Sequence, residues 1–363
     1  MDNTITIDRR VTDTPLDIGR KKEISYTGCR EADLFIEEAT WVRGEVFFLL
    51  RESSNHAASH LAVNDSPGVI CHQKINNVRY LNKFFETVNE SLNIGDKFIG
   101  CVETNHQFRS RIKKNYPFFI VQPYLFLHFL VKRVLPKWSV SKRLYFFITR
   151  GRGRMLSLTE VLGRLVSCGF VIDSYRHING LTWFSVTKKS TPLYDMDPTY
   201  GPLVRLKRTG RNGKIIKMYK FRTMHPYAEY LQEYIVNKNG LDKGDKIRDD
   251  YRVTSWGKIM RKFWIDELPM FLNFFKGDLK LFGVRPLSSH KLSLYSPDFQ
   301  KMRNRHKPGL IPPFYVDLPD SFEGLEESEH RYLVQYEQSP WKTDFVYFWK
   351  ALYNIFIKRA RSA

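Results

Sequence analysis

The stretch Phe263–Leu287, FWIDELPMFLNFFKGDLKLFGVRPL, decides the reading of this chain. Two adjacent carboxylates, Asp266 and Glu267, precede a proline and a run of large apolar residues. Proline fits only the first turn of a helix, so Pro269 predicts a helix starting near Asp266. Acids at a helix N-terminus are stabilised by its free N–H groups, so both are expected to be ionised at neutral pH. Capping alone requires one acid. A pair can also hold a hard divalent cation such as Mg²⁺ beside substrate phosphates, or present a nucleophile to phosphorus.

Cations surround the pair in sequence: Lys220 and Arg222 in YKFRTM, then Arg252, Arg261 and Arg285. A single Lys or Arg is most often a solvated surface charge. Several guanidinium groups together match a diphosphate bidentately. Phosphoryl transfer relies mainly on positioning and charge neutralisation, and this set supplies both. GRNGKI is not a Walker loop, because it lacks the spacing and the Ser/Thr after the lysine.

The remainder of the chain narrows the class. A net charge of +20 over 363 residues points to a polyanionic partner: nucleic acid, anionic lipid or phosphorylated substrate. No helix-turn-helix, RNA-recognition or zinc motif supports nucleic acid. The cysteines (Cys29, Cys71, Cys101, Cys168) are scattered, so neither a zinc site nor a disulfide framework is expected. A hydrophobic content of 42% with 15% aromatics supports packed cores, and the length suggests two domains. Met1–Arg20 lacks the apolar core of a signal peptide.

The order of elements suggests a tail over residues 1–22, an α/β domain over 23–190 and a second domain over 191–363. In the α/β domain, EVFFLL (Glu45–Leu50) and GDKFIGCVET read as strands. Val78, Leu81, Phe84, Phe85, Val88 and Leu92 have helical spacing. Ser157 and Glu160 open a capped helix, and Asn179-Gly180 closes a hairpin. This succession resembles the C-terminal half of a class I methyltransferase, a truncated Rossmann-like unit. Without a G-x-G-x-G loop it reads as non-catalytic. Within it, residues 117–138 form an apolar segment interrupted by Pro123, too short to span a bilayer. It reads either as a buried bent helix or as an interfacial or re-entrant one, with Lys132, Arg133 and Lys137 reaching headgroups. The C-terminal helix places Phe345, Phe348, Trp349, Leu352 and Phe356 together, with Lys350, Lys358, Arg359 and Arg361 toward its polar side and end. Core packing or an anionic lipid surface would each explain it.

Three segments taken together resemble the bacterial sugar transferase family, the monotopic polyprenyl-phosphate phosphoglycosyltransferases of exopolysaccharide, capsule and O-antigen synthesis. They are GPLVRLKRTGRNGKIIKMYKFRTM, DDYRVTSWGKIMRKFWIDELPMFLNFFKGDLKLFGVRPL and HKPGLIPPF, lying between about Gly201 and Lys358. The fold implied is α/β, with a helix-rich sugar transferase domain carrying a small hairpin or sheet after the Rossmann-like unit. The resemblance also implies a sugar-1-phosphate transfer from a nucleotide-diphospho-sugar to polyprenyl (undecaprenyl) phosphate. Asp266 would be the nucleophile, Glu267 the Mg²⁺ ligand, and Lys220, Arg222, Arg261 and Arg285 the phosphate-binding cations. It implies a membrane surface as partner, at the cytoplasmic face of a bacterial inner membrane, and admits a homodimer. Val284 stands where the family's Pro-Arg-Pro motif has its first proline, and KPGLIPPFYVDLPD replaces the usual glycine- and tryptophan-containing stretch. The competing reading is a non-catalytic partner in a polysaccharide assembly complex.

Overall fold

The computed structural model describes residues 27–40, 48–50, 67–135, 139–194, 201–242, 246–319 and 321–358. The expected tail to Lys22, Glu45–Phe47 of the first expected strand, Lys137, Trp138, Arg359 and Arg361 lie outside them. The fold is mixed α/β.

The N-terminal part contains α1 (Arg30–Thr40), β1 (Phe48–Leu50), β2 (Gly68–Lys74), α2 (Leu81–Ser91) and β3 (Lys97–Val102). Three helices follow, α3 (Asn105–Asn115), α4 (Phe118–Phe129) and α5 (Ser139–Thr149), then α6 (Leu158–Ser167) and the hairpin β4 (Phe170–Ile178) and β5 (Leu181–Lys188). The strands form one open sheet in the order β1-β2-β3-β5-β4. The first three run parallel, and β5 pairs antiparallel with both β3 and β4. Asn179 (φ 46°) and Gly180 (φ 75°) make the two-residue turn that the right-handed strand twist favours.

Helices cover both faces, so the strands β2 and β3 are apolar on each side. On one face Phe35 and Ile36 of α1 meet Ile70, Ile99 and Trp183. On the other, Phe84, Phe85 and Val88 of α2 and Leu162 and Leu165 of α6 surround Phe98. Each of the six residues expected on the face of α2 and its flanks is buried. Ser157 caps α6 by accepting from the Glu160 N–H at 3.1 Å.

The segment around Pro123 is not a core helix. Only Val121 and Leu125 of α4 are buried, packed on Ile112 and Phe108 of α3. Phe118, Phe119, Phe126 and Leu127 are exposed, as are Leu144, Phe147 and Ile148 of α5. After α4 the helix widens into a π-turn at Leu130–Val134.

The second part opens with the hairpin β6 (Leu203–Thr209) and β7 (Ile215–Phe221). Its turn runs from Gly210 to Lys214, where the Gly210 N–H donates to the Lys214 carbonyl at 2.8 Å. Then come α7 (Gln232–Asn239), α8 (Ser255–Lys262), a 3₁₀ turn over Ile265–Met270, α9 (Phe271–Phe275) and β8 (Lys280–Phe282). They are followed by α10 (Pro297–Asn304), β9 (Gly309–Ile311), α11 (Phe322–Gln338) and α12 (Pro340–Phe356). Strands β8 and β9 pair in parallel. Gly309 sits so close to the backbone of Gly283 that any Cβ there would collide with it. Phe282, Tyr332, Leu333, Tyr347 and Ala351 form the core of this part.

Helix α12 turns Thr343, Tyr347, Ala351 and Asn354 inward. Phe345, Trp349 and Phe356 are exposed and Phe348 and Leu352 only half-buried, so core packing does not account for the aromatic face. Among the described residues no helix is long and apolar enough to cross a membrane.

Candidate active site

Side-chain alternation along β7 builds one wall of the site. Ile216 and Met218 point to one face, where they pack on Met270 and Leu279. Lys220, two residues further, continues that face and reaches the acidic turn. Its Nζ donates to Glu267 Oε1 at 2.6 Å, with both side chains partly covered.

The acidic turn is a 3₁₀ segment rather than the start of an α-helix. Trp264 enters it in the left-handed region (φ 53°), and its ring packs edge-on against Tyr315 at 6.0 Å. Tyr315 belongs to the stretch after Lys307-Pro308-Gly309. Asn354 of α12 donates to the Tyr315 and Val316 carbonyls and holds it in place.

Sequence reasoning missed Asn273. It is fully buried, and its Oδ1 accepts from the Tyr219 N–H at 3.0 Å while Nδ2 donates to the Lys217 carbonyl at 2.9 Å. The side chain thus occupies the free edge of β7 and ties the acidic turn to the strand carrying Lys220. A lone amide in the apolar run FLNFF was the available signal.

Asp266 is buried, with 8% of its surface exposed. Burial lifts its carboxyl above the ordinary carboxylate range. Lys220 pulls it back, Glu267 pushes it up, and Arg261 pulls it down. The expectation of a carboxylate stabilised by a helix terminus is therefore corrected: desolvation outweighs the neighbouring cations.

The structure brings Lys220 to the pair. Arg261 stands at the entrance of the acidic turn, its carbonyl accepting from the Trp264 N–H at 3.5 Å. It acts on Asp266 through its charge, with no hydrogen bond or ion pair to either acid among the described residues. Arg222 lies past the end of β7 and turns away, its Nε donating to the Gly201 carbonyl at 2.9 Å. Arg285 lies in the loop after β8, where its N–H donates to Glu329 and its carbonyl accepts from Arg303. No hydrogen bond or ion pair among the described residues joins Arg222 or Arg285 to the acids. Arg252 is taken up by Asp250, with two bonds of 2.8 Å.

Asp266 and Glu267 offer hard oxygen donors, one of which, Oε1 of Glu267, engages Lys220. The described residues contain no cluster of three or more His, Cys, Asp or Glu side chains able to enclose a metal. Two adjacent carboxylates are a donor set that Mg²⁺ can use, since it commonly keeps its waters and completes its shell with substrate phosphates.

A buried Asp beside a second acid, with Lys and Arg nearby on a small α/β scaffold, is an arrangement that can support phosphoryl chemistry. Residues 190–358 match the bacterial sugar transferase family. The galactosyl transferase CpsE of Streptococcus agalactiae is 42% identical over 179 residues, 48% of this chain and 35% of that protein. The undecaprenyl-phosphate galactose phosphotransferase of Salmonella typhimurium is 36% identical over 121 residues, 32% of this chain and 24% of that protein. The UDP-glucose:undecaprenyl-phosphate glucose-1-phosphate transferase of Caulobacter vibrioides is 36% identical over 113 residues, 30% of this chain and 39% of that protein. Each match spans less than half of the relative's length.

Proposed function

We propose that this chain is a polyprenyl-phosphate glycosyl-1-phosphate transferase, an enzyme of exopolysaccharide, capsule or O-antigen synthesis. It transfers a sugar-1-phosphate from a nucleotide-diphospho-sugar to polyprenyl phosphate. The observation that carries the reading is the buried Asp266 beside the Lys220–Glu267 pair, inside the domain that matches the family. The names of the relatives support the same substrates.

A carboxylate oxygen of Asp266 attacks the β-phosphorus, and the bond to the bridging oxygen of the α-phosphate breaks. Nucleoside monophosphate leaves with the electron pair, and the sugar-phosphate stays on Asp266 as an acyl phosphate. An oxygen of polyprenyl phosphate then attacks the same phosphorus and frees Asp266, leaving a polyprenyl-diphospho-sugar. Lys220 and Arg261 neutralise charge on the transferring group, where preorganised cations act most strongly. Arg222 and Arg285 would hold the more distant phosphates. Glu267 would hold Mg²⁺, which neutralises diphosphate charge when bound.

Burial makes the Asp266 oxygen a poorly solvated base, and the two cations favour its ionised form. The N-terminal unit, residues 23–190, is read as non-catalytic and the transferase domain as residues 191–363. The exposed aromatics of α4, α5 and α12 would sit in the headgroup layer of the bacterial inner membrane, on the cytoplasmic side where both substrates meet. A homodimer is compatible with this arrangement.

Incubation of the purified chain with nucleotide sugars, Mg²⁺ and polyprenyl phosphate tests the proposal. Release of nucleoside monophosphate with formation of a lipid-linked diphospho-sugar is expected. No product with any donor in a broad panel would favour the non-catalytic partner.

A further inference from the structure

Thr223, one residue beyond Arg222, is buried, and its hydroxyl accepts a bond of 3.0 Å from Arg261 Nε. Its carbonyl accepts from both the N–H (2.9 Å) and the hydroxyl (3.1 Å) of Thr254, the residue that caps α8. One residue therefore fixes the start of α8 and the arginine in its last turn. Arg261 is otherwise largely exposed, a long side chain with many rotamers at a surface. The Arg261 carbonyl accepts from the Trp264 N–H at 3.5 Å and the Trp264 carbonyl from the Glu267 N–H at 3.1 Å. Arg261 therefore leads directly into the acidic turn, and the Thr223 bond holds its side-chain rotamer there.

The segment containing Thr223 is itself held by the N-terminal unit. Tyr227, with a left-handed backbone (φ 61°), lies under the Arg164 guanidinium of α6 at 4.4 Å. Arg164 is paired with Glu160 at 2.8 Å and bonded to Asn82, and Asn82 Nδ2 donates to the Tyr227 hydroxyl at 2.6 Å. At Gly163 any Cβ would overlap the Tyr227 carbonyl. Just beyond Tyr227, Leu231 and Ile235 enter the core formed by α2, α6 and the sheet. The Thr159 hydroxyl donates to the Tyr251 carbonyl at 3.2 Å, close to the start of α8. The chain thus leaves the active site after Thr223, docks on α6 around Tyr227 and Tyr251, and is back beside Thr223 at Thr254.

We propose that Thr223 is a positioning residue that sets Arg261 beside the acidic turn of Asp266, and that the Gly163–Tyr227 contact with the N-terminal unit holds Thr223 in place. The N-terminal unit then works as part of the transferase rather than as a detached remnant. The geometric half stands on these contacts; its consequence for turnover rests on the proposed function.

The test uses the full chain in detergent. Thr223→Val keeps the shape and removes the hydroxyl, while Thr223→Ser keeps the hydroxyl. In Thr223→Val the Arg261 Nε–H resonance should lose its protection from exchange, and kcat should fall about tenfold or more with a smaller change in donor KM. Thr223→Ser should keep both. Gly163→Ala should reproduce the Thr223→Val result, while Val171→Ala, on the exposed edge strand β4, should change neither. If Gly163→Ala does not fold, Tyr227→Phe, which removes the Asn82 bond, takes its place with the same expected direction. A protected Arg261 resonance and unaltered kcat in Thr223→Val, or equal damage from serine and valine, would overturn the role of Thr223. A folded Gly163→Ala or Tyr227→Phe variant with the wild-type resonance would overturn the role of α6. The resonance is read without substrate, so a wild-type chain that transfers nothing defeats the proposed function and leaves this test intact.

Discussion

Lys220 Nζ lies 2.6 Å from Glu267 Oε1, joining the end of β7 to the acidic turn beside Asp266. Both partners are partly exposed, so their pairing contributes only about 1 kcal/mol or less to stability. Its role is to orient. Lys220→Met should melt within a few degrees of wild type yet lose most of its transfer rate. Glu267→Gln should weaken the response to Mg²⁺, read as a higher Mg²⁺ concentration at half-maximal rate. An unchanged Mg²⁺ titration would remove Glu267 from the metal site.

The burial of Asp266 has a pH signature in metal-free buffer. Its folded pKa lies above the unfolded value, so ionisation opposes folding. Below the unfolded value, about 3.9, both states are protonated and nothing is lost. The destabilisation grows as pH rises from there through the folded pKa, and is complete above it. Asp266→Asn should therefore melt higher than wild type at neutral pH, with the gain vanishing in acid. A constant gain at every pH would assign the effect to something other than this carboxyl.

The Arg285 loop depends on a buried ion pair. Arg303 and Glu329 meet at 3.0 Å with almost no exposure, and each also bonds the backbone of Arg285. Arg303→Ala leaves a buried carboxylate unpaired and should cost about 3–5 kcal/mol in denaturant unfolding. Replacing both residues by methionine should cost less than Arg303→Ala alone. At Arg285, lysine should not restore the arginine rate, since an ammonium cannot form the bidentate fork. Full activity of Arg285→Lys would indicate a structural role.

The membrane proposal makes its own prediction. Phe126, Phe129 and Leu130 share helical spacing, but Phe129 and Leu130 are half-buried while Phe118, Phe119 and Phe147 are widely exposed. Serine at the latter three should lower co-flotation with anionic vesicles about tenfold or more, since each lost apolar contact weakens insertion. A folded triple variant that floats like wild type would remove α4 and α5 from the membrane contact.

What the sequence made legible follows from how local each signal is. Asn179-Gly180 and the spacing in α2 act over a few residues, and the elements form as read. Lys220 was legible because strand alternation carries it to the same face as Ile216 and Met218. Arg222 falls beyond the strand, where alternation no longer governs direction. The pairing of Arg285 with Glu329 spans 44 residues, and the docking of Asn273 on β7 spans more than 50. Neither contact has a local pattern. The aromatic face of α12 left two readings open for a related reason: its core side is small and polar, with Thr343, Ala351 and Asn354 around one tyrosine.

The central claim is that Asp266 carries the sugar-phosphate between the two substrates. Wild-type chain exposed to donor alone, quenched and digested, should yield a peptide containing Asp266 heavier by one hexose phosphate or its derivative. Adding polyprenyl phosphate before the quench should discharge it, and Asp266→Asn should show neither adduct nor turnover. Turnover by Asp266→Asn at the wild-type rate, or wild-type turnover with no adduct on Asp266 at any time after mixing, would contradict the account.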